Sequence, residues 1–258
     1  MAQRSELGNF GFPSLTSYFD GAKLLIISRQ LTFATLGQAW INLVRLTLEV
    51  GTNMGTEGFE RLGVEVAFPA EIGDDRILNR FGDAEMIANM QKVFFGEGTN
   101  PLGHSYAGLI RGPGGRNDLQ DVVSLLRDEP WSKRAVLTLS GSGNGKVPCV
   151  NVIQFLIREG SLHVIYFARG QDAFRKFYAD ALCIASMARK VASSLQLPAS
   201  TVTGFIGSCH LYREDLPSIQ LMLEATKNEK APPGPTRMSA IRQTGMSALR
   251  RTRTHTRV

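Results

Sequence analysis

Apolar positions recur along this chain with two different periods. Leu36, Trp40, Leu43, Val44 and Leu48 fall three or four apart and Gly51 follows, so residues 35–50 read as an amphipathic core helix. The same spacing predicts helices at 83–94, with Met86, Ile87, Met90 and Val93 inward, and at 118–127, with Leu119, Val122, Val123 and Leu126 inward. A long core helix over 177–195 carries Ala181, Leu182, Ile184, Ala185, Ala188 and Val191, and a last helix covers 215–225 before Pro232, Pro233 and Pro235 end regular structure. Residues 147–157 and 162–168 are instead rich in Val, Ile, Phe and Tyr, and Arg158-Glu159-Gly160-Ser161 between them reads as a hairpin turn. A further strand is expected at 59–68 after a 51–58 loop, with a short edge strand at 23–27, whereas residues 1–20 show no clear period.

Composition adds a domain count. A chain of 258 residues with 43% hydrophobic content can bury one full core, so we expect one domain over residues 1–229 and a tail over 230–258. Seven of the 29 Lys and Arg follow Glu229 with no acid among them, which leaves 22 bases against 23 acids before that point. The net charge of +6 therefore belongs to a tail whose composition is compatible with disorder, and no nucleic-acid partner is expected for the nearly neutral domain. No apolar run is long enough to span a membrane and no leader pattern opens the chain, so a soluble cytoplasmic protein without membrane contact is expected. Cys149, Cys183 and Cys209 are odd in number and not closely paired, which argues against a disulfide framework and against a metal site and for a reducing compartment.

The candidate chemistry concentrates in residues 147–180. Gly141-Ser142-Gly143-Asn144-Gly145-Lys146 just before it invites a phosphate-loop reading. Val147 stands where Ser or Thr must hold magnesium, however, and strands flank the motif, so it reads as a turn. A lone Cys is usually a small buried hydrophobe, but Cys149 has company. Pro148-Cys149, Gln154-Phe155, Arg169 with Asp172, and Gly207-Ser208-Cys209-His210-Leu211-Tyr212 together resemble the thymidylate synthase superfamily. Its pattern is Pro-Cys-His, Gln-Phe, Arg-Ser-x-Asp, an Asn, then Gly-Asp-x-His-x-Tyr, and the spacing from Cys149 to Tyr212 needs no gaps. Upstream, Gly96-Glu97-Gly98-Thr99-Asn100 resembles the family's Gly-Asp-Thr-Asn loop, and Tyr106 matches a tyrosine near the nucleophile. Ser132-Lys133-Arg134 resembles a Ser-Arg-Arg that crosses the dimer interface. His104 reads as a loop residue.

The departures from that pattern point to a subfamily. Val150 replaces the His, Gly170 the Ser, Ser208 the Asp, and Asp180 the Asn that reads the pyrimidine. With Cys-x-Asn-x-x-Gln-aromatic-Leu-Ile-Arg running from Cys149 to Arg158, the chain resembles the cytidylate hydroxymethylases, above all those acting on CMP in antibiotic biosynthesis. The resemblance implies an α+β, thymidylate synthase-like fold, a mixed sheet covered by helices in a single domain. It implies that Cys149 adds to C6 of the base and that C5 takes a one-carbon unit from the cosubstrate 5,10-methylenetetrahydrofolate. Water rather than hydride then completes the product. Catalytic roles fall to Cys149, Asp180 and Tyr106. Arg169 favours the thiolate of Cys149 and, with Lys133 and Arg134, binds phosphate; His210 and Tyr212 bind the sugar, Gln154 and Asp180 the base, and Asp172 the folate. It also implies a homodimer whose phosphate ligands come from the neighbouring subunit, and no metal.

Ionised Asp only accepts hydrogen bonds whereas Asn both donates and accepts, so Asp180 suits the amino group of cytosine better than the O4 of uracil. The family's proton-relaying Glu aligns with Asn89, leaving Glu85, one turn earlier, as the alternative. Arg29 and Arg61 are the nearest candidates for the family's N-terminal phosphate arginine, and neither aligns cleanly. The rivals are a dCMP hydroxymethylase or divergent thymidylate synthase, and, from another class, a noncatalytic relative binding RNA through the basic tail.

Overall fold

The computed structural model describes residues 31–100, 103–111, 118–139 and 147–227. The expected strand at 23–27, Arg29, the turn at 141–146 and the tail from 230 onward lie outside the described residues.

The helix expected from the Leu36 to Leu48 stripe is α1 (Leu36–Val50), opened by Thr35, whose hydroxyl accepts from the Gln38 N–H, and closed where the Gly51 N–H bonds the Thr47 carbonyl. Its buried Trp40, Leu43 and Val44 pack against the sheet formed around β3 (Gly58–Pro69) and β7 (Ala199–Tyr212). Those two strands pair antiparallel from Gly58↔Tyr212 to Pro69↔Thr201. On the other side of β7 lies β6 (Ser161–Asp172), parallel to it, then β5 (Val150–Arg158) and β4 (Val136–Thr138), both antiparallel. β1 (Leu31–Thr32) runs parallel to β3 at the far edge, and β2 (Thr52–Asn53), inside the expected 51–58 loop, also pairs with β3. The result agrees with the expected α+β class, a mixed sheet with helical cover, in order β1-β3-β7-β6-β5-β4.

The β5–β6 hairpin closes as its sequence predicts. Arg158 pairs with Ser161 across two residues, Glu159 and Gly160, whose φ values of 50° and 73° are the positive pair a type I′ turn needs. Two boundaries differ from expectation. β5 starts at Val150, so Cys149 lies just ahead of the strand rather than on it, and β6 continues past Ala168 to Asp172. That extension carries Arg169 and Asp172 on strand backbone, where a ladder fixes them.

β6 returns to β7 through α6 (Phe177–Ser194), the expected long helix, which is buried on nearly every side because it lies between the sheet and α3 (Ala84–Phe95). Each large side chain that α6 buries, such as Phe177, Ile184 and Met187, is worth about 2 kcal/mol in area removed from water. α5 (Asp118–Asp128) and α7 (Leu216–Ala225) match their expected spans within a residue or two, while α2 (Arg76–Phe81) and α4 (Tyr106–Arg111), one and a half turns each, carry too little period to be read. Along β6, Leu162, Val164, Tyr166 and Ala168 face the helices and Phe167 faces away. Phe167 and its register partner Phe205 are 44% and 41% exposed, an apolar pair on the uncovered face of the sheet. Among the described residues no helix is long and apolar enough to cross a membrane.

Candidate active site

Cys149 sits where β5 begins, half-buried, in a segment clasped from both sides. Its carbonyl accepts the Arg169 N–H at 2.9 Å, so Cys149 is stitched to β6 although it precedes the β5 ladder. The Arg169 guanidinium donates to the Val147 carbonyl (2.8 Å) and the Pro148 carbonyl (3.1 Å), and the Asn151 amide donates to Pro148 O at 2.9 Å. On the next residue the Val150 N–H donates to the hydroxyl of buried Tyr106 at 3.1 Å. That bond anchors α4 to the Cys149 segment, and the Tyr106 ring, tilted against Phe94 with centroids 4.4 Å apart, ties α4 to α3. Burial, and then the nearby Asp180 charge, push its hydroxyl far above the tyrosine range, so it stays protonated.

Asp180 stands in the first turn of α6, the place where a carboxylate commonly caps. It does not cap: α6 has no side-chain cap bond, and the Asp180 carboxylate is turned inward, 3% exposed. Oδ2 accepts from the Gln171 amide at 3.0 Å, while Oδ1 takes no hydrogen bond among the described residues. Burial raises its pKa from 3.8 to about 6, with the Gln171 bond and Lys176 opposing.

The same carboxylate acts on Cys149. Burial first and Asp180 second push the thiol up, while Arg169 and Lys176 pull it down without offsetting them. The expectation that Arg169 favours the thiolate is thus right in direction and outweighed in sum.

The remaining residues divide into two groups. Asp172, Arg169, His210 and Tyr212 lie with Cys149, because the parallel β6–β7 register sets Asp172 beside His210 and carries Tyr212 to the end of β7. Asp172 Oδ1 holds the turn into α6 by accepting from the N–H groups of Phe174 and Arg175, and its second oxygen takes no hydrogen bond among the described residues. The His210 and Tyr212 rings meet edge to face at 5.3 Å. Gln154, Lys133 and Arg134 belong elsewhere. The Gln154 amide donates to the Lys133 carbonyl at 2.8 Å, and Arg134 forks onto Glu129 at 2.7 Å, both ends exposed. Since Phe155 N–H bonds Ala135 O, Lys133 and Arg134 stand beside the far end of β5, roughly 20 Å along the strand from Cys149. Glu85 and Asn89 are both exposed on α3, and Arg61 is exposed on β3.

Three residues near Cys149 carry no signal of their own in the sequence. Gln171 occupies the variable place in Arg-x-x-Asp, and only its pairing with Asp180 marks it. Lys176, four residues before Asp180, acts electrostatically on both Asp180 and Cys149. Arg175 donates to Asp215 (2.9 and 2.8 Å) and Glu214 (2.5 Å) and lies over the Tyr212 ring at 5.5 Å, fixing the end of β7. No cluster of three or more His, Cys, Asp or Glu able to hold a metal occurs among the described residues.

A nucleophile-bearing segment, a buried carboxylate and a cationic rim in one place suit covalent addition to a planar electrophile. A family profile described as thymidylate synthase matches residues 83–249. A protein of Methanocaldococcus jannaschii provisionally named thymidylate synthase is 28% identical over 105 residues, covering 37% of this chain and 47% of that protein. One of the same name from Methanosarcina barkeri is 25% identical over 130 residues, covering 48% and 60%. A third, from Methanothermobacter thermautotrophicus, is 22% identical over 136 residues, covering 51% and 61%. The chain spans about half to three fifths of the length of these curated relatives.

Proposed function

Since this chain belongs to the thymidylate synthase family, we propose that it is a folate-dependent CMP 5-hydroxymethylase. The observation that carries the reading is Asp180: a buried carboxylate that caps nothing, keeps one oxygen unpartnered and stands where the family's pyrimidine-reading Asn is expected. An acceptor-only group there suits the amino group of a cytosine and opposes the O4 of a uracil.

The residues then divide the work. Cys149 Sγ forms a bond to C6 of the base, which makes C5 nucleophilic, and the same bond breaks when product leaves. The thiol starts protonated because burial, and then the Asp180 charge, push it up. A cytosine amine donating to Asp180 offsets part of that negative charge, and Arg169 and Lys176 pull the thiol in the same direction, toward thiolate. 5,10-Methylenetetrahydrofolate would supply a one-carbon unit at the oxidation level of formaldehyde and leave as tetrahydrofolate while C5 gives up its proton, and addition of water to that carbon would give the hydroxymethyl group. The free second oxygen of Asp172 suits the N–H groups of a pterin ring. Tyr106 holds the strand start beside Cys149 and offers a protonated hydroxyl there. His210 and Tyr212, whose rings meet at the end of β7, would bind the sugar.

A ribose needs room as well as a partner. A Cβ built on Gly170 would meet nothing nearer than the Ser208 carbonyl at 4.0 Å, so the position where the superfamily carries Ser is open here. That room admits a 2'-hydroxyl, and the proposed preference for CMP over dCMP further requires a group that bonds it, such as water held by the backbone at Gly170. Incubation with CMP, dCMP or dUMP and methylenetetrahydrofolate, followed by mass spectrometry, should show 5-hydroxymethyl-CMP as the fastest product. A methylated dUMP as main product would identify a thymidylate synthase instead.

The protein is proposed to act as a homodimer. Lys133 and Arg134 are too far along the sheet to reach the Cys149 of their own subunit, and the exposed Phe167 and Phe205 pair offers an apolar face for a second copy. Mixing the inactive Cys149→Ser and Arg134→Ala variants should restore activity, up to about a quarter of wild type if subunits exchange at random. A monomer by light scattering, or no recovery on mixing, would refute shared sites. Three free thiols suit a cytoplasmic setting.

A further inference from the structure

Two buried acceptor atoms beside Cys149 are left without donors: Asp180 Oδ1 and Gln171 Oε1. Gln171 is 1% exposed, and its amide nitrogen is committed to Asp180 Oδ2 at 3.0 Å, which leaves the amide oxygen as an acceptor with no hydrogen bond among the described residues. A buried acceptor without a donor is costly and uncommon, and here two occur on side chains that are bonded to each other. Neither has a structural task to explain it. The α6 N-terminus is not capped by Asp180, and the backbone of Gln171 is held by the pairing of β6 with β7 opposite Cys209. Asp180 is close enough to Cys149 and Tyr106 to act on both electrostatically, so the unpartnered pair belongs to the reacting end of the site.

Resting on the cytosine reading above, we propose that Gln171 is a second base-selecting residue, forming with Asp180 a two-acceptor clamp that takes both N–H groups of the exocyclic amine of cytosine. The Gln171 N–H fixes one carboxylate oxygen, which prevents the carboxylate from rotating, and the two remaining oxygens accept one amine hydrogen each. A keto oxygen at that ring position has no hydrogen to offer and would face two lone-pair acceptors. Uracil is thereby rejected by two unmet bonds instead of one.

The test is calorimetric binding of CMP and UMP to the full chain. Wild type should bind CMP at least about a hundredfold more tightly than UMP. Gln171→Met keeps the length of the side chain and removes the amide, and should weaken CMP about tenfold while tightening UMP, cutting the CMP/UMP ratio by at least about tenfold. A merely structural role would weaken both nucleotides alike, and an unchanged ratio overturns the assignment of Gln171 while sparing the cytosine reading. Wild type that binds UMP as well as CMP, or neither, overturns the cytosine reading and this inference with it. If Gln171→Met does not melt cooperatively, Gln171→Asn, which draws the amide back by one methylene, should lower the ratio in the same direction, and an unchanged ratio there also counts against the clamp.

Discussion

Cys149→Ser is expected to abolish turnover, lowering kcat by at least about a thousandfold with a smaller change in KM for the nucleotide. A serine hydroxyl in this setting has no neighbouring base to ionise it, since the carboxylate in reach, Asp180, is committed to Gln171 and the base, and Tyr106 is itself protonated. Folding should be spared, because the side chain is half-buried and the segment is held by backbone bonds to Arg169 and Tyr106 that the substitution leaves alone. Cys183 and Cys209 supply the control. Both are buried, and the Cys209 thiol, beside Thr47, is pushed up to about 12, so neither is a nucleophile. Their alanine variants should keep kcat and lose about 1–2 kcal/mol of stability in urea unfolding. Residual Cys149→Ser activity above about a hundredth of wild type would remove Cys149 from the reaction.

Asp180→Asn should reverse base choice, converting a cytosine-selective site into one that accepts uracil, with the CMP/UMP ratio of kcat/KM falling more than about a hundredfold. The same variant carries a stability signature of opposite sign. The folded carboxyl titrates at about 6 against 3.8 for a free one, so the native state favours the protonated form. Its contribution to stability is full below about pH 4 and is lost as pH rises through about 6. Linkage puts the loss at about 3 kcal/mol. Asn carries no charge to bury, so Asp180→Asn should match wild type near pH 4 and melt at a higher temperature than wild type at pH 8. Loss of CMP turnover without the gain in stability would mean that Asp180 is not the buried, unpaired carboxylate described here. An unchanged base ratio would show that base choice resides elsewhere.

Elements with a full period are legible in the sequence alone: the α1 stripe, the α6 run of small apolar residues, and the hairpin whose Glu159-Gly160 turn has the two positive φ angles its type requires. α2, α4 and β4 are not, because three to six residues carry less than two turns or two alternations. The motif residues on β6 and β7 are legible because a parallel register keeps spacing in sequence as spacing in space, so Arg169, Asp172 and His210 arrive together. Gln171 is not, because its importance comes from α6 folding back to set Asp180 against it nine residues later. The ionisation of Cys149 escapes a linear reading for a related reason. Charges can be counted along a chain, but the burial that outweighs Arg169 exists only once Tyr106 and α6 close over the segment. Lys133 and Arg134 look like site residues in a linear motif, and the antiparallel β4–β5 pairing is what carries them to the opposite end of the strand.

Covalent chemistry by Cys149 on a cytosine nucleotide is tested most directly by intact-protein mass spectrometry after incubation with 5-fluoro-CMP and methylenetetrahydrofolate. The fluorine at C5 cannot leave as a proton does, so the Cys149 Sγ–C6 bond should persist. The expected result is a stoichiometric mass increase corresponding to the nucleotide and the one-carbon donor, located to the tryptic peptide of residues 147–158, with 5-fluoro-UMP reacting far more slowly. An unmodified protein, an adduct on Cys183 or Cys209, or capture of 5-fluoro-UMP in preference would contradict the account.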